Sequence, residues 1–363
     1  MKKHSLKRTE SEMSKSPTIR TDRAKGGVLM LLVALLCSHD SVRAQNLHFS
    51  QFFNSPLVTN PANTGFIPEA DFRVGANYRD QWSNIPVPYK TMSVWGDAQV
   101  WRNRFPTGWV GLGGYVLNDK AGSGSLASTR VYGSAAYHQM LSNYGLVSAG
   151  FSLGVVNKRV DPSKLTFDDQ WNGQFFDNTI LTGESFITNN ITYLDLQFGL
   201  NFAWFPTDNA YLHGGLAVKQ LNRPRETFFE MAPGYNRIMD RRYTLFFDGV
   251  FKLNDRFIVT PGGYYSRQSL AEELLLGAHA NYNLSGDGEH QLIAGVYNRF
   301  GDAVIPMVGY QWRNFRFMFS YDASTSPISN YVYGQGANEM SLLHNGFYFQ
   351  NRGTDRQSMC PKF

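Results

Sequence analysis

From residue 71 to residue 349 apolar and polar side chains alternate one by one in runs of strand length, the mark of extended chain with two unlike faces. In Thr192–Trp204 one parity reads Leu194, Leu196, Phe198, Leu200, Phe202, Trp204, and the other Tyr193, Asp195, Gln197, Gly199, Asn201. The same division runs through Gly145–Val156 (Val147, Ala149, Phe151, Leu153, Val155 against Ser148, Gly150, Ser152, Gly154). It recurs in Arg242–Leu253 and in Phe315–Asp322. Such segments predict fourteen strands, at 71–82, 90–102, 108–119, 128–141, 144–158, 191–205, 210–222, 241–254, 256–267, 270–284, 289–299, 302–313, 315–325 and 336–349. The third, ninth and twelfth carry apolar residues on both parities and are the least distinct.

A soluble sandwich would alternate as well, so the connections decide. After the even-numbered strands they are brief and rich in turn formers: Asn103–Thr107, Ser142-Asn143, Pro206–Asn209, Asn254-Asp255, Ser285–Gly288 and Asn314. After the odd-numbered strands several are long, above all Arg159–Asn190 and Arg223–Asp240. Short turns on one rim and long loops on the other, with an even strand count, describe an outer-membrane β-barrel whose chain ends lie on the periplasmic, short-turn side. No run of 18 apolar residues occurs, so helical spans are excluded, and a closed barrel is the other way to pair every backbone polar group inside lipid. Trp82, Trp101, Trp109, Trp204, Tyr265, Trp312 and Tyr348 fall near strand ends, where interfacial aromatic girdles are expected. Gln45–Ala70, with Pro56, Pro61 and Pro68, is too Pro-rich for a barrel strand and is a candidate periplasmic plug, in or under the lumen.

Residues 1–44 read as a signal peptide: a basic stretch, the apolar run Val28–Cys37, and Val42-Arg43-Ala44 ahead of Gln45. The expected organisation is therefore leader 1–44, Pro-rich segment 45–70, barrel 71–349 and a periplasmic tail 350–363. Cys37 raises lipidation, but Leu36 precedes it where a small side chain is needed; Met13 is an alternative start. Nine of the 34 basic and four of the 29 acidic residues fall in 1–44, so the remainder carries 25 of each. The basic balance thus belongs to the leader, and no nucleic-acid partner is expected. Only Cys360 remains after the leader, which excludes an internal disulfide framework and a cysteine metal site.

The polar parity places Arg73, Arg79, Asp97, Asp195, Arg242, Asp248, Lys252 and Asp322 in the lumen, both signs equally represented. Charges inside a low-dielectric wall are expected to pair, which favours a filled lumen over an open sieve. Solvation of a water-filled channel is the alternative. No enzyme is expected: His213 and Asp195 fall on neighbouring strands facing inward, but no nucleophile motif accompanies them, and Gly122-Ser123-Gly124-Ser125 is a loop tip instead of a nucleophile elbow. Gly111-Leu112-Gly113-Gly114 lies within a strand pattern with no helix after it, so close backbone packing accounts for it better than phosphate binding. Asp168, Asp169, Asp177 and Glu184 lack EF-hand spacing, and His48, His138, His279 and His344 lack ligand spacing, so neither a metal nor a cofactor is expected.

His48-Phe49-Ser50-Gln51-Phe52-Phe53-Asn54-Ser55-Pro56-Leu57, then Asn60-Pro61-Ala62, Gly65, Arg73 and Asn77-Tyr78-Arg79-Asp80-Gln81-Trp82 form an opening signature. Phe319-Ser320-Tyr321-Asp322, Gly336–Leu342 and Cys360-Pro361-Lys362-Phe363 form a closing one. In order and spacing these resemble the PorP/SprF family of type IX secretion system membrane proteins. The resemblance implies a Bacteroidota-type outer membrane and its lipid as surroundings. It also implies a role in exporting or holding large surface proteins, such as adhesins with a C-terminal sorting domain, alongside other components of that secretion system. A general porin or solute channel is the rival reading and predicts ion conductance.

Overall fold

The computed structural model describes residues 49–348, apart from 69, 83–87, 123–124, 143, 178, 184–187, 229–237 and 327–335. The leader, His48, Glu184, Ser123-Gly124, Cys360 and the tail 350–363 lie outside the described residues. The barrel strands are β1 (Phe72–Gln81), β2 (Tyr89–Phe105), β3 (Gly108–Ala121), β4 (Leu126–Ser142), β5 (Gly145–Arg159), β6 (Asn190–Thr207) and β7 (Ala210–Lys219). They continue as β8 (Arg242–Lys252), β9 (Phe257–Gln268), β10 (Ala271–Asn283), β11 (His290–Arg299), β12 (Ala303–Trp312), β13 (Phe315–Ser324) and β14 (Ala337–Gly346). Each pairs antiparallel with its sequence neighbours, and β1 pairs with β14 from Phe72 opposite Gly346 to Gln81 opposite Ala337, which closes the barrel. Among the described residues no helix is long and apolar enough to cross a membrane.

Alternation becomes inside and outside. On β6 the side chains of Leu194, Phe198, Leu200, Phe202 and Trp204 are exposed on the outer wall while Asp195, Gln197 and Asn201 are buried within. The closed hydrogen-bond ladder pairs the wall's backbone apart from local breaks such as the one at Pro306, so an apolar outer surface can meet hydrocarbon at little polar cost. Trp101, Tyr144, Trp204, Phe257, Trp312, Phe315 and Tyr348 are exposed near the short-turn rim and form one girdle. Trp109 is not part of it: it stands on the inward parity of β3, is 1% exposed, and donates Nε1–H to Gly65 O at 2.9 Å. β7 ends at Lys219 and not at 222, because Gln220 takes φ 53 and turns the chain out of the ladder. The two long connections, 160–189 and 220–241, share their rim with much shorter ones, among them Ser269-Leu270 between β9 and β10.

The lumen is occupied by the chain's own residues 49–70. A 3-10 turn (Phe52–Asn54), a single α turn (Pro56–Thr59) and a second 3-10 turn (Pro61–Asn63) fold the segment into a compact body. It begins beside Arg79 and Glu339 near the long-loop ends of β1 and β14, and descends to Asp71, whose N–H donates to Gly346 O at the short-turn rim. Phe49–Gln51 therefore lie in the outer half of the lumen, which differs from a segment resting wholly at the periplasmic mouth; the carboxylates described below hold them there. Three apolar clusters grow around its side chains. Phe52 packs with Tyr264, Ile305 and Met307; Phe49 and Leu57 with Tyr115, Leu117 and Tyr132; Phe66 with Trp109, Phe205 and Tyr211.

Candidate functional site

The plug enters on backbone N–H groups that its turns leave free, and strand side chains are placed to receive them. Glu339 on β14 accepts the N–H of Ser50 and of Gln51, one to each oxygen, both at 2.8 Å. Asp322 on the adjacent β13 accepts the Ser50 hydroxyl proton at 2.8 Å. The same hydroxyl oxygen accepts from Arg79 on β1 and Arg299 on β11, both at 2.7 Å. The two guanidiniums then pair with Asp322 at 2.8 and 2.9 Å, and Arg79 with Glu339 at 3.2 Å. Arg299 extends the network to Glu273 and Asp302, both at 3.1 Å, and Glu273 lies 3.9 Å from Arg242. Every one of these charges is mostly or wholly buried, and a buried charge left without its partner is strongly destabilising. Removing the plug would strip Glu339 of two donors and both arginines of a shared acceptor.

Two further staples act lower down. Asp97 on β2 takes a bidentate bond from Arg73, 2.9 Å at both oxygens, and the N–H of Gly65 at 2.7 Å, while Arg73 also donates to Asn63 O at 2.9 Å. At mid-height the Asn60 amide donates to Asn201 Oδ1 at 2.7 Å and accepts the N–H of Ala62 at 2.8 Å. His138 meets Thr64 O through Nε2 at 2.8 Å and Ser148 Oγ through Nδ1 at 2.7 Å. Bare backbone in the wall makes this closeness possible. A Cβ at Gly150 would stand 2.5 Å from Pro61 C and Ala62 N, and one at Gly111 would stand 2.6 Å from Thr64 C. The glycines of 111–114 thus belong to close backbone packing, at Gly111 against the plug.

Of the lumen charges expected from parity, Arg73 with Asp97 and Arg79 with Asp322 come together as described. Arg242 donates to Tyr264 OH at 2.8 Å and Ser266 Oγ at 2.9 Å. Asp195 is held by neutral groups, the Tyr132 hydroxyl and the amides of Gln197 and Gln220. Asp248 sits 3.1 Å from His213 Nδ1, so His213 is joined to Asp248 and not to Asp195. Lys252 stands apart at the short-turn rim, 3.2 Å from Asp255. Among the signature residues, Phe49, Ser50, Gln51, Phe52, Asn60, Pro61 and Ala62 build the plug and its contacts. Tyr78 lies on the outward parity of β1, Gln81 ends that strand, and Trp82 caps it with φ 56, its N–H bonded to Gly336 O at 3.0 Å. Parity reasoning passed over Arg299 and Glu273, although both stand on inward positions of β11 and β10 and could have been found by extending the alternation to the strand ends.

On the outer rim, loop 160–189 is organised by its own side chains. Gln170 donates to Ile180 O at 3.0 Å. Asp169 accepts the Gly183 N–H. Asp177 accepts the hydroxyl and N–H of Thr179, which hold its carboxyl below the usual range. The tip exposes Trp171, Phe175 and Phe176, with Trp171 and Phe176 bridged and their rings edge to face at 5.0 Å.

A closed antiparallel wall, apolar outside and filled inside by the chain's own N-terminal segment, defines a plugged outer-membrane β-barrel. The protein belongs to the PorP/SprF family of type IX secretion system membrane proteins, whose family model matches residues 41–343. Curated protein sequences offer no match to the chain. Among solved structures it is similar to a Pseudomonas aeruginosa FadL homologue (12% identity, 80% of this chain and 94% of that one, TM-score 0.48). It is also similar to the Ralstonia pickettii toluene transporter TbuX (12%, 81% and 94%, TM-score 0.47) and to the Pseudomonas putida toluene transporter TodX (11%, 84% and 94%, TM-score 0.47).

Proposed function

We propose that this type IX secretion barrel holds a large secreted surface protein, such as an adhesin with a C-terminal sorting domain, at the cell surface, and that it neither conducts solutes nor catalyses a reaction. The observation that carries this reading is the plug, tied by Glu339, Asp322, Arg79 and Arg299 across the lumen. A lumen filled this way leaves the outer rim as the place to engage a client, and the long loops 160–189 and 220–241 stand there. The exposed aromatics of the first loop supply the kind of rigid apolar contact from which protein interfaces draw their affinity. Deletion of Arg159–Asn190 is expected to abolish retention of the client at the surface while heat-modifiable migration of the barrel persists. Retention that survives the deletion defeats the loop assignment, and steady ion conductance of the intact protein in planar bilayers would favour the solute-channel reading.

A further inference from the structure

On the outside of the wall, at the rim that carries the long loops, a recess of about 500 Å³ lies between Arg223, Asp240, Arg241, Tyr243, Arg267 and Ser269. Tyr243 on β8 and Arg267 on β9 are direct cross-strand partners on the outward parity, the face that lower down presents Leu245 and Phe247 to hydrocarbon. Arg241 stands two residues before Tyr243, is exposed, and is anchored by its Nε, which donates to Leu221 O at 3.3 Å. Arg223 takes φ 46, a left-handed conformation uncommon outside glycine, and lies 3.1 Å from Asp240.

Three guanidiniums therefore meet one carboxylate on this lining. The Arg223–Asp240 pair is half exposed at both ends, and Arg267 finds Glu272 at 3.3 Å, also in the open, so neither bridge contributes much. Among the described residues no carboxylate reaches Arg241. Guanidinium forks match the paired oxygens of a phosphate group better than any other side chain does.

The same excess marks the rim elsewhere. Lys90 on β2 and Lys120 on β3 face outward as direct cross-strand partners, with Asp80 beside Lys90, and Arg159 is exposed at the end of β5. Like charges set opposite each other on a sheet repel, and an anion in the surroundings relieves them. A soluble anion would use the arginines alone. The recess instead opens onto wall where Tyr243 and the cross-strand pair Leu216 and Leu245 are exposed, so an occupant anionic at its head and apolar below it satisfies both parts at once.

We propose that this recess binds the phosphate of an acylated lipid of the outer leaflet, gripped by Arg223, Arg241 and Arg267, with Tyr243 beneath the headgroup and an acyl chain along Leu216 and Leu245. The site goes beyond the client-holding role and needs no client, so the two readings fail separately.

The test is native mass spectrometry of the full-length barrel in detergent, titrated with lipid A carrying both phosphates, with the same lipid A stripped of both, and with inorganic phosphate. The phosphorylated lipid should bind, and its stripped form roughly tenfold more weakly. Inorganic phosphate at the same concentration should leave the lipid adduct in place. Arg241→Gln and Arg267→Gln together should weaken binding of the phosphorylated lipid roughly tenfold, whereas Arg313→Gln, an exposed basic position at the opposite rim, should leave it unchanged. Heat-modifiable migration reports that each variant is folded, and the comparison of the two lipids on the unaltered protein stands even where a variant is not. Equal binding of both lipids, displacement by inorganic phosphate, undiminished binding by the double variant, or an equal loss in Arg313→Gln overturns the proposal.

Discussion

Ser50 is a small residue with a large share of the lumen's order, since its N–H and hydroxyl reach four charged side chains from β1, β11, β13 and β14. Arg79→Ala should cost about 3–5 kcal/mol of plug docking, the usual loss when one member of a buried ion pair is removed. The checks are a lower temperature for the heat-modifiable transition and the appearance of channel events in planar bilayers. Gly150→Val should open the lumen by a different route, because a Cβ there displaces Pro61 and Ala62; a bilayer trace as silent as that of the unaltered protein would count against the plug's seating. At this scale the sequence was partly legible. Arg73, Asp97, Arg79 and Asp322 stand on the polar parity and do meet. Glu339 stands within the closing signature, but its purpose depends on two backbone donors nearly three hundred residues away in the chain, and no local rule reports a partner at that distance.

Elements were far more legible, and the three least distinct strands share one cause. The third, ninth and twelfth strands looked ambiguous because both parities are apolar, and these strands turn Trp109, Leu117, Tyr264, Ile305 and Met307 toward the plug. An inner face that meets Phe49, Phe52 and Phe66 has no reason to be polar, so the alternation fades where the lumen is dry. The proline positions offer a test at this scale. Pro306 on β12 lacks the N–H that would bond toward β13, and the ladder skips the pairs at 305 and 306. Pro306→Val should restore a hydrogen bond and raise stability by about 1 kcal/mol, read as a later heat-modifiable transition. On the outer rim, replacing Trp171, Phe175 and Phe176 together by Ser should lower client retention at least tenfold, as expected when clustered aromatic anchors are lost; retention within twofold of the parent would remove these residues from the interface.

As a whole molecule the protein joins two bodies that are separate in sequence logic, a wall written in alternation and a filling written in turns and prolines. The joint between them bears on how the molecule comes to exist. Arg79 and Glu339 are direct cross-strand neighbours at the seam between β1 and β14, where the cylinder meets itself, and this same pair receives Ser50 and Gln51. Until the leading segment is in position, the two edges that must zip together confront each other with an arginine and a glutamate whose remaining valences are unfilled. Biogenesis is then expected to be ordered, with the plug segment laid inside while the cylinder is still an open sheet, as the mandrel on which the last edges find their register.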